Sequence, residues 1–207
     1  LTRAPEGEIA AFCDSTDHWL PLACTMNVTV VTERVRGWFG WDLEEMERRV
    51  ASVPPAADGV HFLPYLNGER TPNLPHGSGV IHGLRPDVAS PAHLMRAAME
   101  GATLGLAYGL RRFAALGLCP EEIRLTGGGS KSAVWRQIAA DVFGVPVVRP
   151  ATVEGAGLGA AIQAAFADGR GSYEELCARL VSLDETTRCH PDAERASLYR
   201  EKLDRQI

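Results

Sequence analysis

The sequence predicts an α/β domain, because helical and extended segments alternate along its second half. A helix beginning at Ser90 is followed by an apolar strand near Ile123, a helix that stops at Gly144, and a second apolar strand at residues 145–148. A further helix, rich in small residues, runs to about Ala167. This alternation is typical of parallel strands joined by right-handed crossovers. Ligands bind such sheets at the carboxyl ends of the strands, so a site is expected there.

Composition and charge favour a globular chain that binds a small metabolite. Of 207 residues, 45% are hydrophobic and 23% are charged, which is ordinary for a chain with one core. A formal net charge of -5 argues against nucleic acid, and no apolar run approaches the roughly 18 residues of a membrane span. The five cysteines lack a C-x-x-C spacing, which favours a reduced, cytoplasmic chain. Residue 1 is Leu, and a strand is expected from Glu8, so we expect an N-terminally truncated piece of a longer protein.

Three consecutive glycines, Gly127, Gly128 and Gly129, mark the strongest candidate site. They follow the strand at residues 123–126 and precede a helix from about Ser132. Glycine has no Cβ, so the backbone N–H groups of such a loop can closely approach a bound anion. The helix is expected to add unpaired N–H groups and the positive end of its dipole. A phosphorylated small molecule would fit this loop.

The glycine loop matches neither common phosphate-binding pattern. Ser130 stands where the G-x-x-x-x-G-K-S/T loop needs a glycine before Lys131. Against the dinucleotide pattern G-x-G-x-x-G, Ser132 replaces the third glycine, and Val-Val-Arg at residues 147–149 lacks the acid expected about 20 residues on. From the loop alone, a nucleotide site and a plain strand-to-helix turn both remain open.

Local patterns also predict the elements around this region. They are a hairpin of residues 8–13 and 18–25, a helix over 27–39, a polar helix capped by Asp42 and ending near Val50, a strand over 60–66, a long helix from Ser90 to Gly117, and two closing helices, one begun by a capping box of Ser172 and Glu175 and one over 192–206.

Several residues outside the glycine loop could carry chemistry, and most have a simpler interpretation. Asp14 and Asp17 are interpreted as turn residues of the hairpin rather than as a catalytic pair. Glu69 and Arg70 lie in a long loop, residues 67–79, where solvated charges and a functional role are equally open. His190 precedes a proline and is expected in a surface loop.

A stripe of small residues follows one side of the long helix. Ala97, Gly101, Gly105 and Gly109 are each four residues apart. Each glycine within a helix costs about 1 kcal/mol relative to alanine. We therefore expect a neighbouring backbone to pack very closely against this side of the helix.

Two segments near the middle of the chain resemble a known family. Gly-Val-Ile-His-Gly-Leu at residues 79–84, followed after eight residues by His-Leu-x-x-Ala-Ala-Met-Glu at 93–100, resembles the second signature of the FGGY carbohydrate kinases. Phe-Leu-Pro-Tyr-Leu-Asn-Gly-Glu-Arg-Thr-Pro at 62–72 looks like the xylulokinase branch in particular. The glycine loop and Glu-Gly-Ala-Gly-Leu-Gly at 154–159 follow in the family's order, so the resemblance covers nearly the whole chain.

The resemblance implies a ribonuclease H-like fold of the actin and sugar-kinase superfamily. Such a domain has a mixed sheet with helices on both faces, and this chain would lack its first strands. Residues 1–207 would then be the C-terminal, nucleotide-side domain of a two-domain kinase, truncated at its N-terminus. The implied reaction is the ATP-dependent phosphorylation of a ketopentose, D-xylulose to D-xylulose 5-phosphate, with MgATP as the phosphoryl donor.

The resemblance also implies where the nucleotide lies. Adenosine would lie against Gly127, Gly128 and Gly129. Ser130 and Ser132 would lie near the ribose and purine, although Ser132 stands where glycerol kinases carry an asparagine. The helix from Asn27 would present two further residues, Thr29 and Glu33, near the adenine.

No catalytic residue or metal ligand is expected within this chain. In the family, the aspartate that accepts the sugar proton and the phosphate-contacting segments D-N/Q-x-x-x-x-G and T-S/T-G lie upstream, and neither pattern occurs here. Without them, phosphoryl transfer loses positioning and charge stabilisation, so the chain alone is expected to be inactive. The expected partners are the sugar, the nucleotide and an N-terminal domain, with a homodimer possible and with no nucleic acid or membrane.

Three other functions remain open. The parent could be a sister FGGY kinase for gluconate, ribulose or glycerol. The glycine loop could instead belong to a dinucleotide-binding oxidoreductase domain. Finally, the chain could be a non-catalytic nucleotide-binding fragment.

Overall fold

The computed structural model describes residues 7–206 and has the predicted α/β class. In chain order its elements are β1 (Ile9–Cys13), β2 (Trp19–Ala23), α1 (Thr29–Trp38), α2 (Leu43–Ala51), a 3-10 turn (Pro55–Gly59), β3 (His61–Leu63), β4 (Val80–His82), α3 (Pro91–Ala115), β5 (Ile123–Arg124), a second 3-10 turn (Gly128–Lys131), α4 (Ala133–Phe143), β6 (Val147–Pro150), α5 (Gly155–Ala167), α6 (Tyr173–Leu180), β7 (Leu183–Cys189) and α7 (Ala193–Gln206).

The strands form two hairpin-like pairs and one three-stranded mixed sheet. β1 pairs antiparallel with β2, and β3 pairs antiparallel with β4. In the third sheet β5 runs parallel to β6, as expected from the intervening helix, and β7 runs antiparallel to β6. The expectation of two closing helices missed β7, whose sequence Leu-Asp-Glu-Thr-Thr-Arg-Cys has no apolar run. The strand expected over 60–66 ends at Leu63, because the following Pro64 has no N–H to donate to a ladder.

Helix α3 lies at the centre of the core. Met95, Met99 and Leu104 are fully buried and pack in one cluster with side chains of α1, α2, α4 and α7. The predicted close approach is confirmed at Gly101, where a Cβ would lie 2.0 Å from the carbonyl oxygen of Phe62. It is wrong at Gly105, where a Cβ would meet no atom within 4 Å.

A buried charged cluster joins α3 to α7. The Glu100 side chain is 0% exposed and accepts hydrogen bonds from Arg96 Nε at 2.8 Å, Tyr199 OH at 2.7 Å and Lys202 Nζ at 2.7 Å. A buried carboxylate is stable only when it is paired and hydrogen-bonded, which these three donors accomplish. Burial beside Glu100 raises the pKa of the Tyr199 hydroxyl above its ordinary value.

The same cluster holds a left-handed turn between α2 and β3. Ala56, Ala57 and Asp58 have φ values of 62°, 47° and 51°, a region that residues with a Cβ rarely adopt. Lys202 Nζ donates to the carbonyl oxygens of Ala56 and Val60, each at 3.0 Å. The cost of this conformation is therefore offset by contacts from α7.

The β1–β2 hairpin has the predicted turn and an exposed apolar surface. Asp14 Oδ1 accepts from the backbone N–H groups of Thr16 and His18, so it is a turn residue as expected. The large side chains exposed on the hairpin are Phe12, Trp19, Leu20 and Leu22.

Among residues 7–206, no helix combines the length and apolar character needed to cross a bilayer.

Candidate functional site

A cleft of about 600 Å³ lies between α1, α2 and the glycine loop. Its apolar walls come from Leu43, Met46, Ala133 and Trp135. Its polar lining residues are Thr29, Thr32, Glu33, Glu44, Glu47, Lys131 and Ser132, with Gly128 and Gly129 contributing backbone. Five of the residues predicted from the sequence therefore meet here, namely Thr29, Glu33, Gly128, Gly129 and Ser132.

A smaller cavity of about 240 Å³ continues behind the glycine loop. It is lined by the other two predicted residues, Gly127 and Ser130. The two cavities share lining residues, namely Thr29, Gly128, Gly129 and Trp135. Every predicted site residue thus lies around one continuous region of the surface, at the carboxyl end of β5.

The geometry of the loop favours glycine at two positions. Gly127 has a φ of 79° and a ψ of -174°, a conformation that is strained for residues with a Cβ. At Gly129 a Cβ would lie 3.1 Å from the Trp135 ring. At Gly128, by contrast, a Cβ would meet no protein atom within 4 Å, so glycine here leaves space for a ligand.

Arg136 holds the end of this loop in place. Its guanidinium donates to the carbonyl oxygens of Ser130 at 2.7 Å, Lys131 at 3.1 Å and Thr187 at 3.2 Å. Thr187 belongs to β7, so the strand that sequence patterns missed supports the loop through Arg136. The sequence contains no local signal for this contact, because it spans 51 residues.

Two N–H groups at the N-terminus of α4 already donate to protein side chains. Ser132 Oγ accepts from the Trp135 N–H at 3.0 Å, while Glu47 Oε1 accepts from the Val134 N–H at 2.8 Å. Glu47 Oε2 accepts from the Ser132 hydroxyl at 2.5 Å. The prediction that α4 begins with unpaired N–H groups is therefore wrong at these two positions. A carboxylate already occupies the place that a phosphate would take.

The charges around the cleft also disfavour phosphate close to its walls. Three carboxylates, those of Glu33, Glu44 and Glu47, line it together with one ammonium group, that of Lys131. Like charges at short range repel, whereas a neutral nucleoside pays no such cost. The combination of apolar walls, a Cβ-free loop and several hydrogen-bond acceptors fits the base and sugar of a nucleotide better than its phosphates.

The sequence allowed two interpretations of Glu69, a solvated surface charge or a functional residue. In the structure its side chain is buried, and it does not line the cleft. It is 3% exposed and accepts from the backbone N–H groups of Met26 at 2.7 Å and Arg70 at 2.8 Å, and from Asn27 Nδ2 at 2.9 Å. These bonds tie the 67–79 loop to the segment that enters α1. Its role in this structure is to position α1, which carries Thr29 and Glu33.

Side chains that commonly bind metal ions do not cluster in the described part of the chain. Residues 7–206 contain no cluster of three or more His, Cys, Asp or Glu side chains that could hold an ion. The acidic residues of the cleft are spread over α1 and α2, and two of them, Glu33 and Glu47, already pair with protein donors.

Comparison with known proteins identifies close relatives. The model of the C-terminal domain of the FGGY family of carbohydrate kinases matches residues 6–167. The xylulose kinase of Haemophilus influenzae is 41% identical over 199 residues, which is 96% of this chain and 40% of that protein. The xylulose kinase of Streptomyces coelicolor is 42% identical over 162 residues, 78% of this chain and 32% of that protein.

A solved structure shows the same fold. The crystal structure of xylulose kinase from Bifidobacterium adolescentis superposes with a TM-score of 0.79 at 31% identity, covering 97% of this chain and 39% of that one. The chain thus spans about two fifths of the length of the Haemophilus influenzae and Bifidobacterium adolescentis proteins.

Proposed function

Because the chain belongs to the FGGY family of carbohydrate kinases, we propose that it is the C-terminal, nucleotide-side domain of an enzyme that phosphorylates a ketopentose. The proposed reaction transfers a phosphoryl group from MgATP to D-xylulose and forms D-xylulose 5-phosphate. The chain, residues 1–207, supplies the half of the active site that binds adenosine. The sugar pocket, the catalytic base and the Mg²⁺ and phosphate contacts belong to the remainder of the protein.

The observation that carries this proposal is the meeting of the predicted residues around one cleft. Thr29 and Glu33 come from α1, whereas Gly128, Gly129 and Ser132 come from a segment about 100 residues later in the chain, yet they line the same cavity. Apolar walls on two sides would hold a flat base and exclude water from it. The glycine backbone would allow the ribose to approach closely.

We also propose that the exposed hairpin side chains are covered by the remaining domain of the kinase. Phe12, Trp19, Leu20 and Leu22 are exposed together on a two-stranded element, which is unusual for a surface in contact with water. Closure of two such domains over MgATP and sugar positions the reacting atoms and stabilises the developing charge. We place the enzyme in the cytoplasm and propose that it forms a homodimer.

Nucleotide binding can be tested on this chain directly. The Trp135 ring lines the cleft, so its fluorescence should report ligand binding. We expect saturable quenching by MgADP with a dissociation constant on the order of 1 mM, since only half of the site is present. NAD should cause no comparable change. Gly128→Asp should abolish the response, because a side chain there projects into the cleft region. Saturation by NAD without a response to MgADP would favour the oxidoreductase alternative.

The reaction itself is tested with the full-length protein that carries this domain. Sugar-dependent release of ADP should be greatest with D-xylulose among D-xylulose, ribulose, gluconate and glycerol. A preference for one of the other three would assign the protein to a sister kinase. Residues 1–207 alone should release no ADP in the presence of any sugar. Sugar-dependent turnover by this chain alone would contradict the division of roles proposed here.

A further inference from the structure

The hydrogen bonds of Ser132 leave it with one free position. A hydroxyl group has one proton to donate and two lone pairs that can accept. The proton of Ser132 is donated to Glu47 Oε2 at 2.5 Å, and one lone pair accepts the Trp135 N–H at 3.0 Å. Only the second lone pair remains for a ligand in the cleft that Ser132 lines.

The direction of these bonds is set by Glu47. Its Oε1 receives the Val134 N–H at 2.8 Å, a group that can only donate, so the carboxylate is held from two sides. A carboxylate has no proton to offer, and the Ser132 proton is therefore directed toward Glu47 rather than toward the cleft. Glu47 itself lies on α2, 85 residues before Ser132, and lines the same cleft.

We propose that Glu47 is a positioning residue that makes Ser132 an obligate hydrogen-bond acceptor and so selects a purine bearing an exocyclic amine. An amine donates to the free lone pair of Ser132. A carbonyl oxygen at the same place on the base would face that lone pair without a proton between them. This inference rests on the proposed function, because it concerns the nucleotide of the same cleft.

The surroundings of Ser132 favour the base over the ribose as the group that it meets. Leu43, Met46 and Trp135 form the apolar walls of the cleft, and these suit a flat heterocycle rather than a polyhydroxylated ring. If the base, rather than the ribose, lies against Ser132, the negatively charged phosphates are also farther from the carboxylates of Glu33 and Glu47. The 2′-hydroxyl of the ribose is another donor for Ser132, and the test below distinguishes it from the amine of the base.

A purely structural role for Glu47 predicts a different result from the proposed role. If Glu47 only joins α2 to α4, its replacement should weaken all ligands alike. In Glu47→Gln, the side-chain oxygen can still accept the Val134 N–H, whereas the amide NH₂ now donates to Ser132 Oγ. The Ser132 proton is then free to turn into the cleft and donate to a carbonyl. Selectivity between ligands, rather than affinity for one, is therefore the informative measurement.

The experiment compares ADP, IDP and 2′-deoxyADP on the 207-residue chain, using tryptophan fluorescence. IDP differs from ADP in carrying a carbonyl in place of the amine and a proton on the neighbouring N1. The matched control is Glu44→Gln, which removes the same charge from the same cleft at a residue without a described contact to Ser132. Thermal unfolding of each variant shows whether it remains folded.

For the wild-type chain we expect IDP to bind about tenfold more weakly than ADP, the effect of leaving buried acceptors unpaired. 2′-DeoxyADP should bind within about twofold of ADP, since its base is unchanged. Glu47→Gln should reduce the IDP/ADP ratio to about threefold or less, and Glu44→Gln should leave it at the wild-type value. Ser132→Ala should bring the ratio close to one and remove any further effect of Glu47→Gln.

The proposal is overturned if ADP binds but Glu47→Gln and Glu44→Gln show the same IDP/ADP ratio. It is also overturned if 2′-deoxyADP, rather than IDP, is the weak ligand, because Ser132 would then meet the ribose. Failure of the folded wild-type chain to bind any of the three nucleotides would contradict the proposed function, and the inference with it.

Discussion

Two glycines of α3, four residues apart, should respond in opposite directions to the same substitution. In Gly101→Ala the new Cβ would lie 2.0 Å from the carbonyl oxygen of Phe62, whereas carbon atoms normally stay at least 3.4 Å from such an atom. The helix or β3 must therefore move by about 1.4 Å in a packed core, and overpacking of this kind costs about 1–3 kcal/mol. In Gly105→Ala the Cβ meets nothing within 4 Å, so the gain in helix propensity, up to about 1 kcal/mol, should be realised.

Chemical unfolding of the two variants should therefore separate them by about 3 kcal/mol, with Gly101→Ala below the wild type and Gly105→Ala above it. For a chain of this size the difference corresponds to roughly 6–12 °C in melting temperature. Because both changes add one methyl group to the same helix, Gly105→Ala controls for helix propensity. Equal stabilities of the two variants would refute the assignment of the close contact to Gly101 and β3.

Three further perturbations follow from buried or capping groups. Burial and the nearby Lys202 ammonium lower the pKa of His61 to about 4. When the pH falls from 7.5 to 5, His61 is therefore protonated in the unfolded chain but not in the folded one. Urea unfolding should show that the free energy of unfolding decreases by about 2 kcal/mol over this range. His61→Gln should abolish that loss, whereas the exposed His18→Gln should retain it. Lys202→Met should cost about 3 kcal/mol by leaving Glu100 under-paired, and adding Glu100→Gln should recover part of it; a fully additive double variant would argue against their coupling. Asp42→Ala removes the acceptor of the Glu45 N–H and should lower the stability by about 1 kcal/mol, and an unchanged unfolding midpoint would show that this cap contributes nothing.

Local sequence patterns predicted the elements whose causes are local. The hairpin turn at Asp14, the cap at Asp42 and the capping box of Ser172 with Glu175 each depend on residues within four positions of one another, and all three are present. The strand, glycine loop and helix around Gly127 were also found from short-range patterns. The resemblance to the FGGY family then predicted which residues from these separate elements form one site. In the structure those residues line two cavities that share part of their lining.

The contacts that were missed join residues far apart in the chain. Glu47 reaches Ser132 over 85 residues and Glu69 reaches Asn27 over 42, so no short pattern could indicate that either carboxylate was already paired. β7 was missed because its sequence, Leu-Asp-Glu-Thr-Thr-Arg-Cys, has no apolar run. The glycine stripe of α3 predicted a close approach correctly at Gly101, but spacing alone could not show that Gly105 faces empty space.

The link between α7 and the left-handed turn has a consequence for the order in which this domain can form. Lys202 lies 146 residues after Ala56 and 102 residues after Glu100 in the chain. At translation rates of about 5–20 residues per second, the buried carboxylate is synthesised roughly 5–20 s, and the turn roughly 7–29 s, before Lys202. Until then, a strained loop and an incompletely paired charge keep the α3 region from reaching its final packing. Nascent chains released or stalled before Tyr199 should therefore be targets for chaperones and proteases, even though most residues of the hydrophobic core have already been synthesised.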